Sequence, residues 1–187
     1  MDMKKILFVF LLMVPAILGA QNKHSFEFGG GVSFPGEMTL DGSNESLIGL
    51  HAMHLYGEYR YQIWRGLSVG AQYQLMPRWG SYYEGYPDKT EVAKFRDLTH
   101  SLNALVEYRF FSTKMVSPFI GVGAGPQFQH KWPGDEGSWK KQGVDLHARA
   151  GVELFHHLRL TVGHLHYQSK VFRAAQPSYY FSAGWVF

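Results

Sequence analysis

Apolar and polar side chains alternate with a period of two along most of this chain. In Phe26-Glu27-Phe28-Gly29-Gly30-Gly31-Val32-Ser33-Phe34, one face carries Phe26, Phe28, Val32 and Phe34, and the other Glu27, Gly29, Gly31 and Ser33. That is the pattern of a strand with one apolar face. From about Leu50 to Tyr61, Met53, Leu55, Tyr59 and Tyr61 oppose His54, Tyr56, Glu58 and Arg60. After a short turn at 63–66, Leu67, Val69, Ala71, Tyr73 and Leu75 oppose Ser68, Gly70, Gln72 and Gln74, which predicts a hairpin. A second hairpin sets Leu98, Leu102, Ala104, Val106, Tyr108 and Phe110 against Thr99, Ser101, Asn103, Glu107 and Arg109, then climbs through 118–125. A third sets Val144, Leu146, Ala148, Ala150, Val152 and Leu154 against Asp145, His147, Arg149 and Glu153, turns at His156-His157 and returns through Leu158, Leu160 and Val162. The last strand runs from Tyr179 to Phe187.

One opening strand, three hairpins and one closing strand make eight. The hairpin is also the unit of repetition, since Glu58-Tyr59-Arg60-Tyr61 returns as Glu107-Tyr108-Arg109-Phe110. An all-β, antiparallel, up-and-down closed barrel follows. Its connections alternate in length. Tight turns are expected near 62–66, 111–116 and 155–157, and long connections near 35–48, 77–96, 129–142 and 168–177, rich in Pro, Gly and charge. Short turns on one rim and long loops on the other mark a barrel that crosses a membrane.

The segment before the first strand supports export. Lys4 and Lys5 precede an uncharged run from Ile6 to Leu18, and small residues end at Ala20. The run is too short to span a bilayer, so residues 1–20 read as a cleaved signal peptide and 21–187 as one barrel domain. The chain has no Cys, which leaves no disulfide framework. Without Asp2, Lys4 and Lys5, its 18 basic and 15 acidic residues become 16 and 14. That near-neutral balance speaks against a nucleic-acid partner.

A soluble barrel would show the same alternation with the apolar face turned inward. Two features favour the opposite sense. The apolar face ends in aromatics at both rims: Tyr59, Tyr61, Trp64, Phe110, Phe111, Phe155, Trp185 and Phe187 near the short turns, and Phe34, Trp79, Tyr82 and Tyr83 near the long loops. Two belts around an aliphatic band suit the two interfaces of a bilayer. The polar face carries Glu27, Glu58, Glu107, Asp145 and Glu153 together with Arg60, Arg109, Arg149 and Arg159. An eight-stranded barrel is just wide enough for side chains to fill, so these nine residues are expected to form an ion-pair network that plugs the lumen.

At the C-terminus, Tyr179, Phe181, Ala183, Trp185 and Phe187 alternate with Tyr180, Ser182, Gly184 and Val186. This resembles the closing strand of bacterial outer-membrane proteins, in which Tyr179, Phe181, Trp185 and Phe187 would be read by the barrel-assembly machinery. With the signal peptide, the hairpin repeat and Pro118-Phe119-Ile120-Gly121-Val122-Gly123-Ala124-Gly125, residues 24–187 are similar to the small OmpA/OmpX-like barrels. The resemblance implies an outer-membrane location and contact with outer-membrane lipid and lipopolysaccharide. It leaves activity open, because one fold hosts many functions.

A filled lumen disfavours a small-molecule pore, and two further classes of function stand beside it. The first is a non-enzymatic structural, adhesive or surface-interaction role through the long loops. Trp79, Tyr82, Tyr83 and Tyr86 enrich the second loop, and Lys131, Trp132, Trp139, Lys140 and Lys141 the third. Aromatics beside Lys suit sugars, lipopolysaccharide headgroups or a protein partner. The second is hydrolysis of lipid A acyl chains. His166-Tyr167-Gln168-Ser169 is similar to the His-x-Ser-Asn motif of lipid A deacylases, with His166 as base and Ser169 as nucleophile. The serine comes one residue late, which on a strand places it on the face opposite His166. No cofactor is expected. The ten His residues give at most two ligands at one place, His164 with His166 or His156 with His157, and zinc needs three or four.

Overall fold

The alternating segments form eight strands: β1 (His24–Pro35), β2 (Ser46–Trp64), β3 (Leu67–Glu84), β4 (Thr90–Arg109), β5 (Val116–Lys131), β6 (Lys140–Leu154), β7 (Leu158–Ser169) and β8 (Gln176–Val186). Met38–Thr39 adds a two-residue extension beside the start of β2. This computed structural model of the chain describes residues 23–35, 38–39, 46–84, 90–111, 115–131, 140–169 and 176–187. Residues 1–20, expected to be the signal peptide, lie outside the described residues.

Every strand pairs antiparallel with its sequence neighbour, and β1 pairs with β8 as well as β2, so the eight-stranded sheet closes on itself. The seam is completed at the short-turn rim by two backbone hydrogen bonds, Phe187 N–H to Phe26 O at 2.8 Å and Phe26 N–H to Phe187 O at 3.3 Å. Closure leaves no row of unpaired backbone groups along either edge, a requirement for any sheet in hydrocarbon.

The stagger can be read from the pairs. A circuit His24–Tyr61–Val69–Val106–Val122–Ala148–His164–Tyr179 returns to β1 at Phe34, ten residues above its start. Eight strands with a shear of ten tilt by about 40–45° and leave a lumen filled by side chains.

The two faces have opposite solvents. Val106, Val122, Leu102 and Val162 are 48–58% exposed on the outside, whereas Glu27, Glu153, Arg159 and Asp145 are at most 2% exposed on the inside. The barrel is therefore apolar outward and charged inward, the arrangement of a transmembrane β-barrel and the reverse of a soluble one. Aromatic residues mark both rims, with Trp64, Phe111, Phe155 and Trp185 at the short turns and Phe34, Tyr179 and Trp79 toward the long loops. The short turns are tight. Gly66 takes a left-handed conformation (φ 77°) between β2 and β3, where Arg109 N–H reaches its carbonyl at 2.7 Å. Phe155 and His156 are both left-handed between β6 and β7, and the turn closes with His157 N–H to Leu154 O at 3.1 Å.

The inward glycines have a packing role. Tyr56 pairs with Gly29, Phe119 with Gly151, Tyr180 with Gly163 and His147 with Gly123. Each inward ring lies across the glycine on the adjacent strand, and a Cβ there would strike it. The narrow lumen accepts a large side chain only where the neighbouring wall has none. Gly163→Val should accordingly cost about 1–3 kcal/mol by overpacking against Tyr180. Denaturant unfolding should show the loss largely relieved in the Gly163→Val/Tyr180→Ala double variant.

The strands run further than their alternation suggested. Residues 77–96 were expected to be a long connection, yet the β3–β4 ladder continues to Glu84 and Thr90, with a register shift at Tyr82/Tyr83. Similarly, β2 begins at Ser46, β5 reaches Lys131 and β6 starts at Lys140. Beyond the hydrocarbon layer antiparallel backbone pairing persists whatever the side chains, so hydrophobic alternation stops before the ladder does.

Candidate functional site

The half of the lumen nearer the short turns is filled by charge. Glu27 comes from β1, Glu58 and Arg60 from β2, Glu107 and Arg109 from β4, Arg149 and Glu153 from β6, and Arg159 from β7. Each points inward because it sits in phase with the lumen face of its strand. Arg149 forks onto Glu58 with Nη1 to Oε2 at 2.5 Å and Nη2 to Oε1 at 2.7 Å, and its Nη2 also meets Glu107 Oε2 at 2.6 Å. Arg159 joins Glu27 Oε2 at 2.9 Å to Glu107 Oε1 at 2.8 Å. Arg60 Nη1 lies 3.0 Å from Glu27, 3.3 Å from Glu58 and 3.4 Å from Glu107. At the rim Arg109 Nη1 meets Glu153 Oε1 at 2.5 Å.

Four glutamates and four arginines thus balance in one connected layer. Neutral groups complete it: Tyr56 O–H donates to Glu27 Oε1 at 2.5 Å and Gln72 Nε2 to Glu58 Oε2 at 2.8 Å, with Gln74 donating in turn to Gln72. Phe119, from a strand that contributes no charge to the layer, closes the remaining space, with Arg159 Cζ 3.6 Å from its ring centroid. Burying so many charges is tolerable only because nearly every carboxylate faces two or three guanidiniums.

Asp145 does not join this layer, contrary to expectation. It lies inside the barrel, but its Oδ2 accepts from Ser101 Oγ at 2.8 Å and Asn103 Nδ2 at 2.7 Å, and its nearest basic group is His147 Nδ1 at 3.9 Å. Its register explains this. Asp145 stands four residues above Arg149 along β6, opposite Gly125 and Tyr167, where no arginine is presented. Above the charged layer Met76, Leu165 and Tyr180 form a small apolar cluster across the lumen. Charged, polar and apolar layers therefore stack along the interior. Alternation alone had marked Tyr56 and Tyr180 as inward but not Phe119, Met76 or Leu165. The signal that would have found Phe119 is Gly151 across the β5–β6 ladder.

The other candidate residues fall elsewhere. His166 and Ser169 both lie on β7, three residues apart, with His166 paired to Leu146 and Pro177 and Ser169 to Gly143; their side chains are outside the described residues. Tyr179, Phe181, Trp185 and Phe187 are exposed along β8 and at its end. His157 stacks flat on Trp185 at 5.3 Å and its Nδ1 lies 3.0 Å from Val186 O, pinning the β6–β7 turn to the closing strand. Among the described residues no group of three or more His, Cys, Asp or Glu is arranged to hold a metal ion. The side chains of Tyr82, Tyr83 and Tyr86, and those of Lys131, Trp132, Trp139, Lys140 and Lys141, lie outside the described residues.

No family model matches the sequence, and no curated protein does. Solved structures do match in fold. Neisserial surface protein A superposes with a TM-score of 0.59 at 15% identity, covering 87% of this chain and 95% of that one. Ail, the attachment invasion locus protein of Yersinia pestis, in complex with the heparin analogue sucrose octasulfate, gives 0.56 at 17% identity, covering 88% and 98%. The N-terminal β-barrel domain of Pseudomonas aeruginosa OprF gives 0.50 at 13% identity, covering 89% and 100%. The fold is that of the small eight-stranded outer-membrane barrels.

Proposed function

We propose that this chain is an outer-membrane protein of a Gram-negative envelope with a structural or adhesive role. It acts through its long-loop rim and its presence in the bilayer rather than by conduction or catalysis. The observation that carries this reading is the lumen: among the described residues a charge-balanced Glu/Arg layer beneath an apolar cluster fills the interior with buried side chains. What remains to meet a partner is the rim. Ail, similar in fold, is an attachment protein solved with a sulfated sugar. The Lys and Trp residues of 131–141 suit the same kind of ligand, a sugar or lipopolysaccharide headgroup. In this reading residues 1–20 direct export, and Tyr179, Phe181, Trp185 and Phe187 serve the barrel-assembly machinery.

In planar bilayers the refolded protein should give no steady conductance, and unboiled samples should migrate apart from boiled ones on detergent gels. Cells expressing it should adhere better than cells lacking it to glycan-coated surfaces, with the gain reduced by Lys140→Ala/Lys141→Ala. Steady conductance would replace the sealed plug with a pore. Loss of fatty acid from lipid A that depends on Ser169 would replace adhesion with hydrolysis.

A further inference from the structure

The mouth of the lumen at the short-turn rim is a small polar cavity of about 40 Å³. Arg60 and Glu107, each 4% exposed, form its floor on top of the charged layer. Lys23, Ser25, Ser68 and Arg109 stand around it. Ser25 pairs with Arg60 and Ser68 with Glu107, all on the lumen face of β1 to β4. The cavity therefore opens to the water at that rim and is walled off from lipid by the strands. One buried water needs about 10–15 Å³ by the same measure, so the space suits one small oxyanion and excludes a sugar ring.

The carboxylate in the floor is already committed. Glu107 meets Arg149 through Oε2 at 2.6 Å, and through Oε1 it meets Arg159 at 2.8 Å and Arg60 at 3.4 Å. The donors around the cavity are not. Arg60 uses Nη1 on carboxylates and Nε on Ser25 Oγ at 3.3 Å, and Arg109 uses Nη1 on Glu153. Among the described residues, Nη2 of both arginines, Nε of Arg109 and the exposed Lys23 ammonium take no hydrogen bond. Lys23 also stands outside the balance of four glutamates against four arginines, so the mouth keeps one positive charge over. The rim does not cancel it. Residues 21–24, 62–66, 111–115 and 155–157 contain Lys23, Arg65 and Lys114 and no Asp or Glu.

We infer that this mouth binds one phosphate-class oxyanion from the aqueous side. Two guanidiniums offer planar donor edges, which match phosphate oxygens better than an ammonium does. Lys23 adds the compensating point charge and Ser68 a neutral O–H donor. The ion caps the charged layer, linking the start of β1 to β2, β3 and β4 by charge-assisted hydrogen bonds.

The test is isothermal titration calorimetry of the refolded protein in phosphate-free maltoside micelles, with inorganic phosphate added to chloride buffer at constant ionic strength. The wild type should bind one ion per chain, saturably. Lys23→Gln should weaken binding about threefold, the scale of one exposed charge. Arg109→Lys keeps the charge facing Glu153 but loses the fork, and should weaken binding about tenfold. Arg65→Gln removes the same charge as Lys23→Gln from the same rim but outside the cavity, and should bind as the wild type does. Heat-modifiable migration shows that each variant has folded. Absence of saturable binding, or equal weakening by Lys23→Gln and Arg65→Gln, would overturn the inference, the latter by reducing it to diffuse attraction. Phosphatidylglycerol added to the micelles should not displace the ion. Displacement would assign the site to a lipid headgroup and overturn it as well.

Discussion

Replacing Arg149 by Ala is expected to destabilise the barrel by about 3–5 kcal/mol, the cost of breaking a buried ion pair from one side. Arg149 is the fork between Glu58 and Glu107, with three contacts of 2.5–2.7 Å. Without it the charged layer holds four glutamates against three arginines, and Glu58 keeps only Arg60 at 3.3 Å, a distant Arg159 at 3.9 Å and the Gln72 amide. Glu58 is 4% exposed, so water reaches the deficit poorly. Urea unfolding in small vesicles, followed by tryptophan fluorescence, would measure the loss. The Arg149→Met/Glu58→Met double variant restores charge balance with apolar side chains and should regain most of it. If single and double variants lose equally, shape rather than charge holds the plug together.

Val106→Arg is expected to cost about 2–4 kcal/mol, because Val106 is 48% exposed in the middle of the outer apolar band. Its row neighbours are Val69 and Val122, so the guanidinium would meet only hydrocarbon. Phe110→Arg, at the end of β4 in the short-turn belt, should cost only about 0–1 kcal/mol. The difference between the two, measured by the same unfolding experiment, reports depth. Equal costs at both positions would mean that the outside of the barrel meets water, and the membrane placement would fall with them.

The lumen network illustrates how far the sequence could be read. Every one of the nine charged residues marked as inward by alternation is inward, since side-chain direction along a strand is a local property. Alternation could not say that Asp145 stands apart with Ser101, Asn103 and His147. That outcome depends on how high each strand presents its charges. The pairs that matter join residues 91 and 132 positions apart, Arg149 with Glu58 and Arg159 with Glu27. The second connection is shorter than alternation predicts for a related reason. Hydrophobic contrast ends where lipid ends, but backbone pairing of β3 with β4 continues to Glu84 and Thr90.

The sequence by itself determined that eight ribbons form, which side of each is greasy, and that acids and arginines share the other side. A period of two needs no knowledge of distant residues. Tertiary structure alone decided the ten-residue stagger, which sets every side chain's height in the barrel. From that stagger come the fork of Arg149, the seating of Phe119 over Gly151 and the isolation of Asp145. Stagger is a global quantity, fixed only when β8 closes against β1, so no local pattern encodes it.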